Sequence, residues 1–117
     1  MRKLTTYLIS SLVIPIIFSF NFTTNDDGEK TFTQNCTACH TIGGGDITGP
    51  DLKNITENRD EEWLIEFIKS PQKMIKNGDK TANDLFNKYN QVMMPDQNLS
   101  DAEIKEVLDY ITKESAN

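Results

Sequence analysis

The chain has 117 residues, of which 12 are Lys or Arg, 18 are Asp or Glu and one is His, giving a formal net charge of −6 at pH 7. This acidity argues against a nucleic-acid partner, because binding to phosphates requires basic side chains. The length suits one domain after any targeting segment is set aside. With two cysteines and one histidine in the sequence, few kinds of metal or cofactor site can be built.

The N-terminal residues have the layout of an export signal. Arg2 and Lys3 precede an uncharged run at residues 4–22, whose most apolar part is LVIPIIF at 12–18. No clear small-residue cleavage junction follows, so residues 1–22 are predicted to be a signal peptide or an N-terminal anchor. We favour the cleaved signal, because polar residues interrupt a run of only 19 residues, which is marginal for crossing ~30 Å of hydrocarbon.

Residues 26–114 are predicted to form one all-α domain, since no segment alternates polar and apolar residues long enough for a sheet. Beyond Arg2 and Lys3, 10 basic residues stand against 18 acidic ones. Solubility is the favoured interpretation of this excess, and complementarity to a basic docking patch on a partner is the alternative. A domain this short buries only about 60–65% of its unfolded surface, so its core is marginal without an added group.

The first predicted helix runs from about residue 27 to 36, and a Gly-rich loop follows at 43–50. A second helix is predicted to begin near Asn58, because Glu61 stands three residues later as in a capping box. Its spacing places four apolar side chains on one face, namely Trp63, Leu64, Phe67 and Ile68.

Two shorter elements are predicted next. Ser70 as N-cap and Pro71 at the first helical position indicate one short helix that ends at Asn77-Gly78. Thr81 is predicted to cap a further helix, which carries Leu85, Phe86 and Tyr89.

The last helix has the clearest pattern. Ser100 and Glu103 are spaced as a capping box. Apolar residues then repeat at i, i+3, i+4 and i+7, namely Ile104, Val107, Leu108 and Ile111. One face of this helix is therefore predicted to lie in the core.

The sequence Cys36-Thr-Ala-Cys39-His40 contains both cysteines and the only histidine. A structural zinc site needs four ligands, and a redox dithiol needs a strand and helix context that is missing here. A disulfide across two residues constrains the unfolded chain little. Covalent haem attachment uses this motif: on one turn, Cys36 and Cys39 reach the two vinyl groups and His40 presents its imidazole to the iron. We therefore predict one haem c, bound covalently through Cys36 and Cys39, with His40 as an iron ligand.

The second axial ligand cannot be another histidine of this chain. Met74 is interpreted as helix packing, the ordinary role of a methionine. Met93 and Met94 precede Pro95, which favours extended backbone at Met94. Neighbouring side chains of an extended segment point to opposite sides, so only one of these two is expected to face the iron.

Residues 28–111 resemble a class I c-type cytochrome. The matching segments are GEKTFTQNCTACH, TGPDL, the Met94-Pro95 pair and LSDAEIKEVLDYI. The resemblance implies a cytochrome c fold of four to five short helices around one covalently bound haem. It also implies that Met94, directly before proline, is the sixth ligand and that Met93 has a packing role.

The resemblance has further implications for contacts. The face of the first helix that bears Gly28 and Phe32 is expected to cross the last helix near Val107 and Tyr110. Gly28 would permit close approach of the two backbones.

Near the proximal histidine, the resemblance implies that the Pro50 carbonyl accepts a hydrogen bond from His40 Nδ1–H, which fixes the ring. Trp63 resembles tryptophans that pack near the haem or reach a propionate, and a plain core role remains its alternative. Residues 60–89 depart from the family pattern, so the resemblance assigns no other pocket residue there.

The function implied is a one-electron carrier and not an enzyme, exported to a periplasm, monomeric, with redox proteins as partners. One alternative is an electron-entry subunit of a larger oxidase or reductase. Another is a small haem enzyme or sensor with an open sixth position. The latter needs an acid/base group, for which Asp46 and Asp51 are candidates, although both are typical turn residues.

Overall fold

The computed structural model describes residues 26–117, and the predicted signal or anchor at 1–22 lies outside them. This part of the chain is all-α, as predicted. It contains six helices, namely α1 (Asp26–Asn35), α2 (Ile55–Asn58), α3 (Glu61–Lys69), α4 (Pro71–Lys76), α5 (Lys80–Lys88) and α6 (Asp101–Ser115). None of the helices in residues 26–117 has the length and apolar character needed to cross a membrane.

Helices α1 and α6 cross closely, as the resemblance implied. The rings of Phe32 and Tyr110 lie 5.5 Å apart between centroids, at an angle of 49°. At Gly28, an added Cβ would overlap the carbonyl oxygen of Glu106 and stand 2.7 Å from its carbonyl carbon. The absence of a side chain at Gly28 is therefore what lets α1 lie directly on the backbone of α6.

The predicted apolar face of α6 forms most of the core, where Ile104, Val107, Leu108 and Ile111 are buried together with Phe32 and Leu64. The capping box at its start is confirmed. Glu103 N–H donates to Ser100 Oγ at 3.3 Å, and Ser100 N–H donates to Glu103 Oε2 at 2.7 Å. Helix α4 also lies where Pro71 predicted it, although Ser70 makes no side-chain capping bond.

The predicted start of the second helix was wrong, because the chain forms a separate turn first. Asn54 adopts a left-handed conformation with φ of 59° and precedes the four-residue helix α2, which ends at Asn58. This extra turn also raises the helix count above the four to five expected. Helix α3 begins only at Glu61, where Asp60 Oδ1 accepts from Trp63 N–H at 3.1 Å.

The predicted cap of α5 was also displaced. Asp79 is the N-cap, and its Oδ1 accepts from Ala82 N–H at 2.8 Å. Gly78, with φ of 85°, reverses the chain just before it. A carboxylate next to exposed N–H groups interacts favourably with the positive end of the helix, so Asp79 caps the helix in place of Thr81.

Candidate cofactor site

The helices surround a largely apolar cavity of about 500 Å³. This volume is within the range of about 300–1,000 Å³ that small-molecule and cofactor pockets occupy. The buried face of α6 forms one wall of the cavity, through Ile104, Val107, Leu108 and Ile111. The cavity and the core are thus continuous, and an apolar group bound here would complete the core.

The cysteine motif continues α1 as a tight turn at the edge of this cavity. Cys36 N–H donates to Phe32 O at 2.8 Å, and the N–H groups of Cys39 and His40 both donate to Cys36 O. All three motif side chains line the cavity. The turn therefore brings together the residues that the sequence assigned to cofactor attachment.

Both cysteines are free thiols in this structure and are half-buried. Burial raises the pKa of the Cys36 thiol to about 11. Thiol exchange and metal binding require the thiolate, which a raised pKa disfavours at neutral pH. Burial therefore makes Cys36 a poor nucleophile at neutral pH.

The structure contains the hydrogen bond expected behind the histidine ring. His40 Nδ1 lies 2.8 Å from the carbonyl oxygen of Pro50. Because a carbonyl only accepts, Nδ1 carries the proton and the lone pair is on Nε2. This tautomer leaves Nε2 available as a metal ligand, with a ring whose orientation is fixed from the other side.

Gly49 also contacts the His40 ring, although the sequence analysis assigned it no role of its own. Its N–H donates to Cys39 O at 2.8 Å. A Cβ added at Gly49 would stand 2.6 Å from His40 Cε1 and 3.0 Å from Nδ1. Only a residue without a side chain lets this backbone pass so close to the imidazole. The Gly-Pro pair carried this signal, but only Pro50 was singled out from it.

The Gly-rich loop is held together by the Asp51 carboxylate. Oδ1 accepts from the N–H groups of Gly43 and Lys53 at 2.7 and 2.9 Å, and Oδ2 accepts from Gly45 N–H at 2.7 Å. These hydrogen bonds keep the pKa of Asp51 below its ordinary value. A carboxylate engaged in this way acts as a turn residue, which supports that interpretation over an acid/base role.

Substituting Asp51→Asn is expected to lower the melting temperature at neutral pH by about 5 °C, because the amide offers one oxygen in place of two. The carboxylate stabilises the fold fully above its unfolded pKa of 3.8 and ceases to do so as pH falls through the lowered folded value. Thermal melts of both proteins at pH 7 and pH 3 test this. The difference should shrink at pH 3, and a constant difference would contradict the role given to the charge.

Trp63 lines the cavity, with its indole stacked on the ring of Phe67 at 4.8 Å between centroids. Its Nε1–H donates to Asp79 Oδ2 at 3.2 Å. The guanidinium of Arg59 lies 5.7 Å from the ring centroid. The indole therefore serves as a cavity wall, and its N–H connects α3 to the N-cap of α5.

Met93 and Met94 both border the cavity, and the expectation that only one of them faces the iron stays a prediction. Met94 is half-buried, and Met93 is 38% exposed. Met74 is buried and is not among the cavity-lining residues, in agreement with its interpretation as packing.

Comparisons with known proteins agree with this arrangement. A family model described as cytochrome c matches residues 26–115. The chain is similar to a cytochrome c from Rhodothermus marinus, with a TM-score of 0.72 and 28% identity over 80% of this chain and 78% of that chain. An engineered form of that protein, bound to a carbene intermediate, gives a TM-score of 0.68 and 26% identity, covering 80% of this chain and 78% of that one.

A second natural neighbour has higher sequence identity. It is the cytochrome c domain of the pp3183 protein from Pseudomonas putida, with a TM-score of 0.68 and 36% identity over 77% of this chain and 89% of that chain. No curated protein sequence matches the chain.

Proposed function

The chain belongs to the cytochrome c family, and on that premise we propose that it is a one-electron carrier whose haem iron is bound by His40 and Met94. Family membership implies covalently bound haem c. Cys36 and Cys39, the only cysteines of the sequence, have the spacing of its attachment motif. When bound, haem supplies the reversible one-electron chemistry of such a carrier.

The residues of the site fit this cofactor. One observation carries the proposal: a single apolar cavity is bordered by both thiols of the motif, by His40 and by the two methionines before Pro95. Thioether formation needs the thiols at the macrocycle edge, and axial ligation needs donors on its two faces. Haem attachment and iron ligation would together use both thiols, His40 and one of the two methionines.

Each ligand has a defined part in the proposal. The hydrogen bond from His40 Nδ1 to Pro50 fixes the imidazole and increases the basicity of Nε2. A thioether from Met94 is a soft donor, and a His/Met pair raises the reduction potential relative to harder donors. If His40 and Met94 both held the iron, a substrate would have no open coordination site, which is why we propose a carrier and not an enzyme.

For location and partners, we propose export to a periplasm directed by residues 1–22, with membrane attachment only if that segment is retained. The partners would be redox proteins that bind a monomeric carrier transiently. The chain has 18 acidic and 12 basic residues. A basic patch on such a partner would be complementary to this negative charge.

The choice of axial methionine is tested by two alanine variants. Met94→Ala is expected to abolish the absorption features of sulfur ligation in the ferric protein and to allow rapid carbon monoxide binding in the ferrous protein. Met93→Ala, the matched control, should leave both unchanged. Loss of ligation in Met93→Ala alone would transfer the role to Met93.

The alternatives for function have their own outcomes. A high-spin ferric spectrum in the unmodified protein, or its rapid binding of carbon monoxide, would indicate a small haem enzyme or sensor. Co-purification with a larger oxidase or reductase would indicate an electron-entry subunit. Asp46 and Asp51 give the enzyme alternative little support, because both carboxylates are engaged in loop hydrogen bonds.

A further inference from the structure

The segment that carries the two methionines is held mainly at its ends. At one end, Val92 N–H donates to Tyr89 O at 3.1 Å, and at the other Gln97 N–H donates to Ile68 O at 3.3 Å. Within residues 26–117, the backbone N–H groups of residues 93, 94 and 96 donate no hydrogen bond. The position of the methionines therefore depends on how firmly the two ends are fixed.

The first end contains an unfavourable turn. Asn90 and Gln91 both adopt left-handed conformations, with φ of 57° and 58°. Such backbone costs free energy in residues other than glycine and persists only where surrounding contacts enforce it. The Gln91 N–H bond to Phe86 O, at 2.8 Å, is one of these contacts.

A second contact joins this turn to the loop beside His40. The Tyr89 hydroxyl donates to Asp46 Oδ2 at 2.7 Å, and Asp46 Oδ1 accepts from Asp51 N–H at 2.8 Å. Asp51 directly follows Pro50, whose carbonyl accepts from His40. The histidine side of the cavity is thus connected to the methionine side. The connection runs from His40 through residues 50–51 and the two hydrogen bonds of Asp46 to Tyr89, and along the chain to Met93.

We propose that the Tyr89–Asp46 hydrogen bond is a positioning contact that holds the methionine segment closed over the cavity and slows exchange of the methionine ligand. This inference rests on the proposed ligation by His40 and Met94. Asp46 is exposed and Tyr89 is half-buried, so the contact can break without unfolding the core. Local opening of this kind is common where a segment has few buried contacts and few backbone hydrogen bonds.

The same bond perturbs both titrating groups in the expected directions. Asp46 accepts hydrogen bonds from Asp51 N–H and from the Tyr89 hydroxyl, and both lower the pKa of its carboxyl group. Burial and the bond to Asp46 raise the pKa of Tyr89. At neutral and mildly acidic pH the Asp46 carboxylate is charged, and the tyrosine stays protonated and remains the donor.

The test uses the full-length, haem-loaded ferric protein and imidazole as the probe ligand. Tyr89→Phe deletes only the hydroxyl and is expected to raise the rate of imidazole binding about three- to tenfold, the upper value corresponding to about 1.4 kcal/mol. Tyr110→Phe is the matched control. Tyr110 forms no hydrogen bond through its hydroxyl with any other described residue, so its variant should bind imidazole at the unmodified rate.

Two further variants separate the contact from general stability. Asp46→Asn keeps one oxygen acceptor, and its amide N–H can donate to the tyrosine hydroxyl, so it should change the rate less than Asp46→Ala, which removes both hydrogen bonds of Asp46. In the Tyr89→Phe/Asp46→Ala double variant, the rate should rise no further than in Asp46→Ala, because both changes remove the same bond. Backbone amide hydrogen exchange at Gln91 and Val92 should accelerate in Tyr89→Phe.

A lower melting temperature in Tyr89→Phe with unchanged imidazole binding and unchanged exchange at Gln91 would overturn the proposal, since Tyr89 would then be merely structural. Equal effects of Tyr89→Phe and Tyr110→Phe would overturn it as well. Failure of the proposed ligation is distinguishable, because the unmodified protein would then lack the spectrum of sulfur ligation. In that case, amide exchange at Gln91 still decides whether the contact holds the segment.

Discussion

Replacing Gly49 with alanine is expected to displace the His40 ring and so weaken the iron ligation that we propose for it. The added Cβ would stand 2.6 Å from His40 Cε1, well inside van der Waals contact. Gly49 does not need a left-handed backbone, so the effect comes from the contact alone. Moving either partner strains the hydrogen bond from His40 to Pro50, and losing such an orienting contact costs about 10–100-fold in metal affinity.

The measurement for Gly49→Ala is the absorption spectrum and reduction potential of the haem-loaded protein, compared with Gly44→Ala. Gly44 lies in the same loop and also lacks a positive φ. The three atoms nearest to its added Cβ all belong to the side chain of Thr41, at 3.1 to 3.3 Å. The control should keep the unmodified spectrum. An unchanged spectrum and potential in Gly49→Ala would mean that the ring is not fixed by this contact.

The second large effect is expected for Gly28→Ala, which should destabilise the fold by about 2 kcal/mol. Alanine is a better helix former than glycine by up to about 1 kcal/mol, so helix propensity alone predicts a gain. The opposing term is larger, because the new Cβ would overlap a backbone carbonyl of α6 that cannot move independently of the helix. Helices α1 and α6 would have to separate, exposing Phe32 and part of the core.

Chemical denaturation of Gly28→Ala and Gln34→Ala tests this expectation. Gln34 is exposed on the same helix, and its variant should be as stable as the unmodified protein to within about 0.5 kcal/mol. A Gly28→Ala protein at least as stable as the unmodified one would show that the crossing tolerates a side chain. The slope of the denaturation curve should stay the same, because the surface exposed on unfolding hardly changes.

The errors in the helix starts share one cause. Ser100 and Glu103 form the capping box that their spacing predicted, since both partners lie within a single turn. Asp60 and Asp79 cap their helices because the preceding backbone turns, at Asn54 and Gly78, shift the chain relative to the simple spacing. Sequence patterns identify helices well. Near the start of a helix, however, several polar residues could serve as the N-cap, and the local backbone geometry selects one of them.

Features that depend on neighbouring residues could be predicted from the sequence. Cys36, Cys39 and His40 form one turn, so their shared chemistry follows from spacing alone, and the apolar repeat of α6 specifies the core face. The resemblance to class I c-type cytochromes added the close crossing at Gly28, which the structure confirms.

Contacts between distant segments became visible in the folded chain. The tertiary structure brought Met93 and Met94 to the cavity bordered by the cysteine motif, set Gly49 against the histidine ring, and paired Tyr89 with Asp46. The resemblance pointed to Met94, and the Gly-Pro pair carried a signal for Gly49, but no local pattern encodes the contact of Tyr89 with Asp46. A surface carboxylate looks alike in sequence whether or not another segment approaches it. Packing of α1 against α6 fixes which loops meet, and these contacts follow from that packing.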